Sequence, residues 1–380
     1  MSNLFDELLA GTVSRRQLFT ALPLLGGSAA VASAQRPAGD VKLSPANIGG
    51  GGRIERNFYR EWIKKSKVPM AEGYSMLDAT NQAVEAWPEI GGRGLYLNFS
   101  GNVHMDAVIV EIPAGKALAQ GRHFYEQVTY VLAGRGHTTF GDGTHQNKVE
   151  WGEGSLFAVP VNALHRHFNG DSARSARLLH VTSFPFMLQV FGSMGLINDL
   201  NYSFNDRYDG DPAYFTKTQR VRKRWDKTNF VKDIRTSEVV EWSERGEGNA
   251  SIFWDMAGNS ILEPHMSEFE VGTYKLGHRH PYEAIILTLT GRGFSLAGKD
   301  GLKDSEAVKL DWKAGSIVSP PYFWYHQHFN TGDTKARYLA ITEGDFPKRL
   351  GIPLEVEQIE ADHEDPEIRK RFEREIHRKG

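Results

Sequence analysis

The chain has 380 residues, 40% of them hydrophobic, with 45 Lys and Arg against 47 Asp and Glu, a net charge of −2 and no cysteine. This length and apolar content allow one large or two ordinary buried cores. The near balance of charge gives no reason to expect nucleic acid or an anionic membrane as partner, and the missing cysteines exclude disulfides and thiolate metal ligands.

At the amino terminus, Ser14-Arg15-Arg16-Gln17-Leu18-Phe19 precedes a mildly apolar run over 21–31 and then Ala32-Ser33-Ala34. Paired arginines, a short apolar stretch and a small-residue cleavage pattern make residues 1–34 read as a twin-arginine export signal, which implies a periplasmic protein. The run is too short for a membrane span, so no stable membrane insertion is expected after cleavage. Residues 35–94 read as a flexible lead-in, with Gly49, Gly50, Gly51 and Gly52 in a row, followed by a packing helix over 55–67. Phe58, Tyr59, Trp62 and Ile63 give that helix its spacing of three and four.

From about 95 the texture changes to short segments rich in β-branched and aromatic residues, such as 108–112, 128–132 and 178–182, separated by glycine turns. Residues 95–185 therefore read as one β-barrel, and 250–345, with the same texture, as another. Between them, 186–249 reads as a connector with a helix near 188–200 and a basic run, Lys217, Arg220, Arg222, Lys223, Arg224 and Lys227, expected as a solvated face. Residues 346–380 end in a charged helix over 367–378, opened by Asp365-Pro366.

The two β regions repeat each other. Gly115, Gly121-Arg122-His123-Phe124-Tyr125-Glu126 and Gly134-Arg135-Gly136 recur as Gly272, His278-Arg279-His280-Pro281-Tyr282-Glu283 and Gly291-Arg292-Gly293. Gly154, Pro160 and His165-Arg166-His167-Phe168-Asn169 recur as Gly315, Pro321 and His326-Gln327-His328-Phe329-Asn330. A tandem duplication of one fold unit follows.

On a strand, His278 and His280 share a face, and His326 from a second strand offers a third imidazole. Three imidazoles with open positions suit iron, manganese, copper, nickel or zinc rather than calcium or magnesium. Glu283 falls out of phase with them, and the in-phase position is Ala284. The ligand set is therefore three histidines, or three with Glu283 turned inward by a bulge at Pro281; regular phase favours the first. In the first copy Gly121 replaces His278, which leaves His123 and His165 beside Glu126 or Gln127: the first barrel reads as a structural partner, or else as a weaker second site of His123, Glu126 and His165 with Glu126 bulged inward. His167 and His328 share the faces of His165 and His326, and Tyr282 is in phase with His280, so these line the same cavity or pack beside it.

These motifs resemble the two motifs of the cupin superfamily in duplicate. The resemblance covers roughly 95–185 and 250–345, and implies an all-β fold of two tandem jelly-roll barrels with flanking helices. Bicupins similar to gentisate dioxygenase have a three-histidine iron site, whereas oxalate-decarboxylase-like manganese sites include the glutamate. The resemblance thus implies a non-haem iron dioxygenase or oxidoreductase acting with dioxygen on a small aromatic or enolisable substrate. Fe(II) is the first choice of metal, with Mn, Cu, Ni or Zn as alternatives. In that reading His278, His280 and His326 hold the ion, Tyr282 or His328 orients substrate or handles a proton, and Glu283 supports a ligand from outside. A manganese decarboxylase, a metal-dependent isomerase and a non-catalytic metal- or ligand-binding bicupin are the rivals, and a homo-oligomer is the expected assembly.

Overall fold

The computed structural model describes residues 56–141, 146–353 and 355–377, so the expected export signal and the glycine lead-in lie outside the described residues. The first described element is a helix, Phe58–Lys65, which starts where the Asn57 side chain accepts the N–H of Arg60. Its Tyr59 is buried, with its hydroxyl 3.0 Å from that of Tyr96, and Trp62 tilts against the Tyr96 ring at 5.3 Å. This is the apolar stripe that the spacing predicts.

The first barrel has a large sheet in the order Met70–Gly73, Gly92–Phe99, Asp106–Ile112, Ala176–Thr182, Gln127–Ala133, Leu156–Val159 and Phe230–Val231. A three-stranded sheet, His165–Asn169, Arg135–Phe140 and Asn147–Gly152, shares a core with it that includes Ile112, Val131, Phe140, Trp151 and Leu178. The second barrel repeats the plan. Its large sheet runs Thr218–Arg222, Trp225–Thr228, Asn249–Asp255, Glu263–Phe269, Ala336–Thr342, Ala284–Thr290, Ile317–Val318 and Ser75–Met76. Its smaller sheet runs Val308–Lys313, Arg292–Gly298, Tyr325–Asn330, His278–Arg279 and Glu357–Gln358.

Central strands of both large sheets are apolar on both faces. In Asp106–Ile112, Val108, Val110 and Ile112 enter the first barrel, while Ala107 and Ile109 face a third cluster shared with Ile252, Met266, Ile285 and Leu339 of the second. The period of two thus builds a barrel core and an inter-barrel core from one strand. Each barrel also lends the other an edge strand: Ser75–Met76 pairs with Ile317 and Val318, and Phe230–Val231 pairs with Leu156 and Phe157.

The repeated motif glycines have a steric cause. A Cβ on Gly136 would lie 2.0 Å from the Phe168 carbonyl oxygen, and one on Gly293 would lie 1.9 Å from that of Phe329. In both barrels a Trp ring, Trp151 or Trp312, covers that bare backbone. The motif asparagines are structural too. Asn330 donates to the carbonyls of Glu270 and Thr334 and accepts the N–H of Gly332, and Asn169 does the same with Pro113, Arg174 and Asp171.

One local expectation changes, and two others gain their partners. The helix near 188–200 is two helices, Phe184–Phe191 and Met194–Asp199, because Gly192 takes φ +60° and Ser193 caps the second. The basic run is the solvated face expected, exposed along the hairpin Thr218–Arg222 and Trp225–Thr228, where Arg220 pairs with Asp226 and the Arg224 guanidinium lies over the Trp242 ring. The charged terminal helix, Pro366–His377, caps the second barrel, burying Ile368 and Phe372 against Tyr274 and Phe329. Among the described residues no helix is long and apolar enough to cross a membrane.

Candidate metal centre

His278 and His326 face each other across the antiparallel pair formed by His278–Arg279 and Tyr325–Asn330. His280 follows the short strand, and the ligand nitrogens of the three imidazoles lie within 4.8 Å of one another. All three are buried. Each Nδ1 meets a backbone carbonyl: His278 that of Leu276 at 3.1 Å, His280 that of Tyr282 at 2.9 Å and His326 that of Trp324 at 3.1 Å. A carbonyl only accepts, so each Nδ1 carries the proton and each Nε2 presents a lone pair. Burial favours the neutral rings and pulls His326 down to about 4, with His278 and His280 also held well below the usual range. Three neutral donors with fixed tautomers, gathered in a buried site with no carboxylate among them, fit a divalent transition metal.

His328 differs. Its Nδ1 lies 2.7 Å from Ser295 Oγ, and that oxygen accepts the Trp312 indole N–H at 3.1 Å. Its Nδ1 thus meets a hydroxyl, which can donate as well as accept, and not a carbonyl that fixes the tautomer as in the three ligands. Tyr282 stacks flat on His280, with ring centroids 3.7 Å apart and planes within 7°. Its carbonyl and its ring both fix that ligand, and burial pushes its phenol up to about 12. Its place is that of a support for His280.

Glu283 lies outside the ligand set, as the three-histidine reading expects, but the support of a ligand and the catalytic role expected of it are corrected: its carboxylate holds backbone of the other barrel. It faces away from the imidazoles, as its phase on a regular strand requires, and accepts the backbone N–H groups of Val103 at 2.8 Å, His104 at 3.0 Å and Met105 at 2.9 Å. Those residues lead into a strand of the other barrel. Glu126 does the same in the opposite direction, accepting from Ser260 at 2.6 Å and from Ile261 and Leu262 at 2.8 Å each. The expected second site of His123, Glu126 and His165 is therefore not assembled.

What the first barrel holds instead is a cavity of about 360 Å³ lined by His123, His165, His167 and His180, with Gln127 and Tyr125. His123 and His165 keep the carbonyl-bound tautomer, to Tyr125 and Ala163 at 3.0 Å each. His167 repeats the relay of His328 through Thr138 and Trp151. His180, whose Nδ1 lies 2.9 Å from Thr129 Oγ1, escapes a reading of motifs because it belongs to none. The second barrel has an equally silent set in Lys275, Tyr338, Ser267 and His265, all buried or nearly so. Only their place in the barrel marks them.

Residues 108–182 match the family model described as the cupin domain. No curated protein gives a sequence match. Among solved structures, the chain is similar to a mutant oxalate decarboxylase of Bacillus subtilis, at 16% identity and TM-score 0.49, over 80% of this chain and 87% of that one. It is also similar to the formate complex of Lactobacillus farciminis oxalate decarboxylase, at 14% and 0.48 over 71% and 86%. A third is the salicylate 1,2-dioxygenase of Pseudaminobacter salicylatoxidans, at 14% and 0.49 over 67% and 75%.

Proposed function

We propose that this chain, a bicupin of the cupin superfamily by its matched first domain and the repeated topology of its second, is a metal-dependent enzyme with one complete centre, in the second barrel. His278, His280 and His326 hold the ion. Bound there, Fe(II) supplies open coordination positions and redox chemistry with dioxygen, and Mn, Cu, Ni or Zn are the alternatives. The observation that carries this reading is the donor set: three imidazoles whose Nδ1 protons are spent on carbonyls, with Ala284 where a fourth, carboxylate ligand would stand.

A three-nitrogen centre supports a non-haem dioxygenase or oxidoreductase acting on a small aromatic or enolisable substrate. Around it, Tyr282 holds His280 in place, and His328 orients a substrate oxygen. A manganese decarboxylase that depends on a glutamate ligand is less well supported, because Glu283 is committed to the other barrel. Export by the twin-arginine route, with metal loading before export, belongs to the same proposal and rests on residues 1–34.

Elemental analysis of natively exported protein beside His280→Ala tests it. We expect about one iron per chain, lost in the variant, and oxygen uptake with phenolic substrates at an oxygen electrode. Manganese with carbon dioxide release would move the assignment to decarboxylation. Protein with no metal in either sample would leave only a binding function.

A further inference from the structure

The ladders of the two barrels align position by position. Tyr338 stands opposite Ser267 where Leu178 stands opposite Val110, and Ala340 opposes His265 where His180 opposes Val108. The backbone N–H of Lys275 donates to the His328 carbonyl at 3.0 Å, as that of Leu118 does to His167. Four apolar positions of the first barrel, Val108, Val110, Leu118 and Leu178, thus become His265, Ser267, Lys275 and Tyr338 in the second. Both barrels fold to the same plan, so the polar set is not a requirement of the fold.

That set lacks a counter-charge. Lys275 is 5% exposed, its Nζ lies 2.7 Å from the Tyr338 hydroxyl and 3.4 Å from Ser267 Oγ, and Ser267 lies 3.1 Å from Ser251. Among the described residues no acidic side chain forms an ion pair with Lys275 or with nearby Arg245, whose guanidinium donates to Gln358 instead. Burial, and then the charge of Arg245, hold the Lys275 amine well below its usual range. Keeping such a buried amine charged without an anion is costly, and a ligand that brings an anion favours the charged form again. The set is also continuous with the metal site: the Tyr338 ring centroid lies 5.3 Å from that of His328, which lies 5.6 Å from that of His326.

We infer that Lys275, with the Tyr338 hydroxyl and Ser267, anchors an anionic oxygen, carboxylate or enolate, of the ligand bound at the three-imidazole centre. This rests on the proposed function and adds the charge of its substrate and the residue that reads it.

Calorimetric titration of the full chain with acetate, and with acetamide as its uncharged match, provides the test, with metal content measured on the same samples. Lys275→Met should weaken acetate binding about tenfold or more, the scale of one charge-assisted hydrogen bond, weaken acetamide binding clearly less, and leave metal content unchanged. Lys275→Arg should keep most of the acetate affinity, and Tyr338→Phe should lose part of it; these also serve if the Met variant fails to fold. Acetate binding within twofold of wild type in Lys275→Met and Tyr338→Phe would overturn the inference, whatever the metal content. Missing metal in wild-type protein would instead sink the proposed function, while the acetate comparison still decides the role of Lys275.

Discussion

At the scale of single residues, the motif glutamates have changed employment. Glu283 is almost fully buried, yet its carboxylate is satisfied by three backbone N–H groups from residues 103–105. Its own N–H donates to Glu343 at 2.8 Å. Glu283→Ala would leave three donors without an acceptor at the junction of the barrels, and we expect a loss of roughly 3 kcal/mol of stability in denaturant titration. Metal content should stay at the wild-type level, because the Tyr282 carbonyl that fixes His280 does not depend on the carboxylate; metal lost in step with the side chain would refute this assignment. Sequence phase was enough to turn Glu283 away from the imidazoles. It had no means of naming Val103, His104 and Met105 as partners, since they lie some 180 residues back in the chain. Separation along the chain also hid Lys275 and Tyr338, which are 63 residues apart and whose meaning comes from which wall of a barrel they occupy.

At the scale of elements, the strands and turns followed from local pattern, and what did not follow was the strand that closes over the site. Glu357–Gln358 pairs with His278–Arg279, with Gln358 opposite the ligand His278 itself. Glu357 locks this pairing: it accepts two hydrogen bonds from Arg279, at 2.8 and 3.0 Å, and one from the Tyr325 hydroxyl at 2.6 Å. The Arg279 guanidinium is in turn held over the Phe323 and Tyr325 rings, at 4.3 and 4.6 Å. In the first barrel the matching residue, Gly121, lines the open cavity. A two-residue strand of mixed polarity carries no periodic signal, and only its partner makes it a strand. Glu357→Ala should therefore leave the metal affinity of folded protein near wild type but speed release to a chelator several-fold, as followed by absorbance of a chromogenic chelator. An unchanged release rate would show that the ion leaves by another route.

At the scale of the two barrels, the duplication legible in the motifs correctly implied two similar units, but not how deeply they are joined. Exchange of edge strands, a shared apolar cluster and reciprocal glutamates make the junction part of both cores, so residues 56–377 should unfold in one transition. One group at that junction ties its stability to pH. His104 Nδ1 lies 3.1 Å from Glu343 Oε2 and 4.0 Å from Glu283 Oε1, with the rings of Phe186 and Tyr322 on its other sides. Burial alone would lower its pKa, but the hydrogen bond to Glu343 and the charges of Glu343 and Glu283 outweigh it, and the net shift is upward. A raised imidazole contributes stability that is complete below its unfolded value of about 6.5 and is lost as pH rises through the folded one. The buried carboxyls beside it, Glu283 and Asp106, are also raised, chiefly by burial, and so act in the same sense. Wild type should then melt above His104→Gln at about pH 6 and approach it as pH rises toward about 9, in thermal scans at matched ionic strength. A gap between the two that widened with pH would mean that His104 sits neutral between the glutamates, and that the junction is held by its apolar cluster alone.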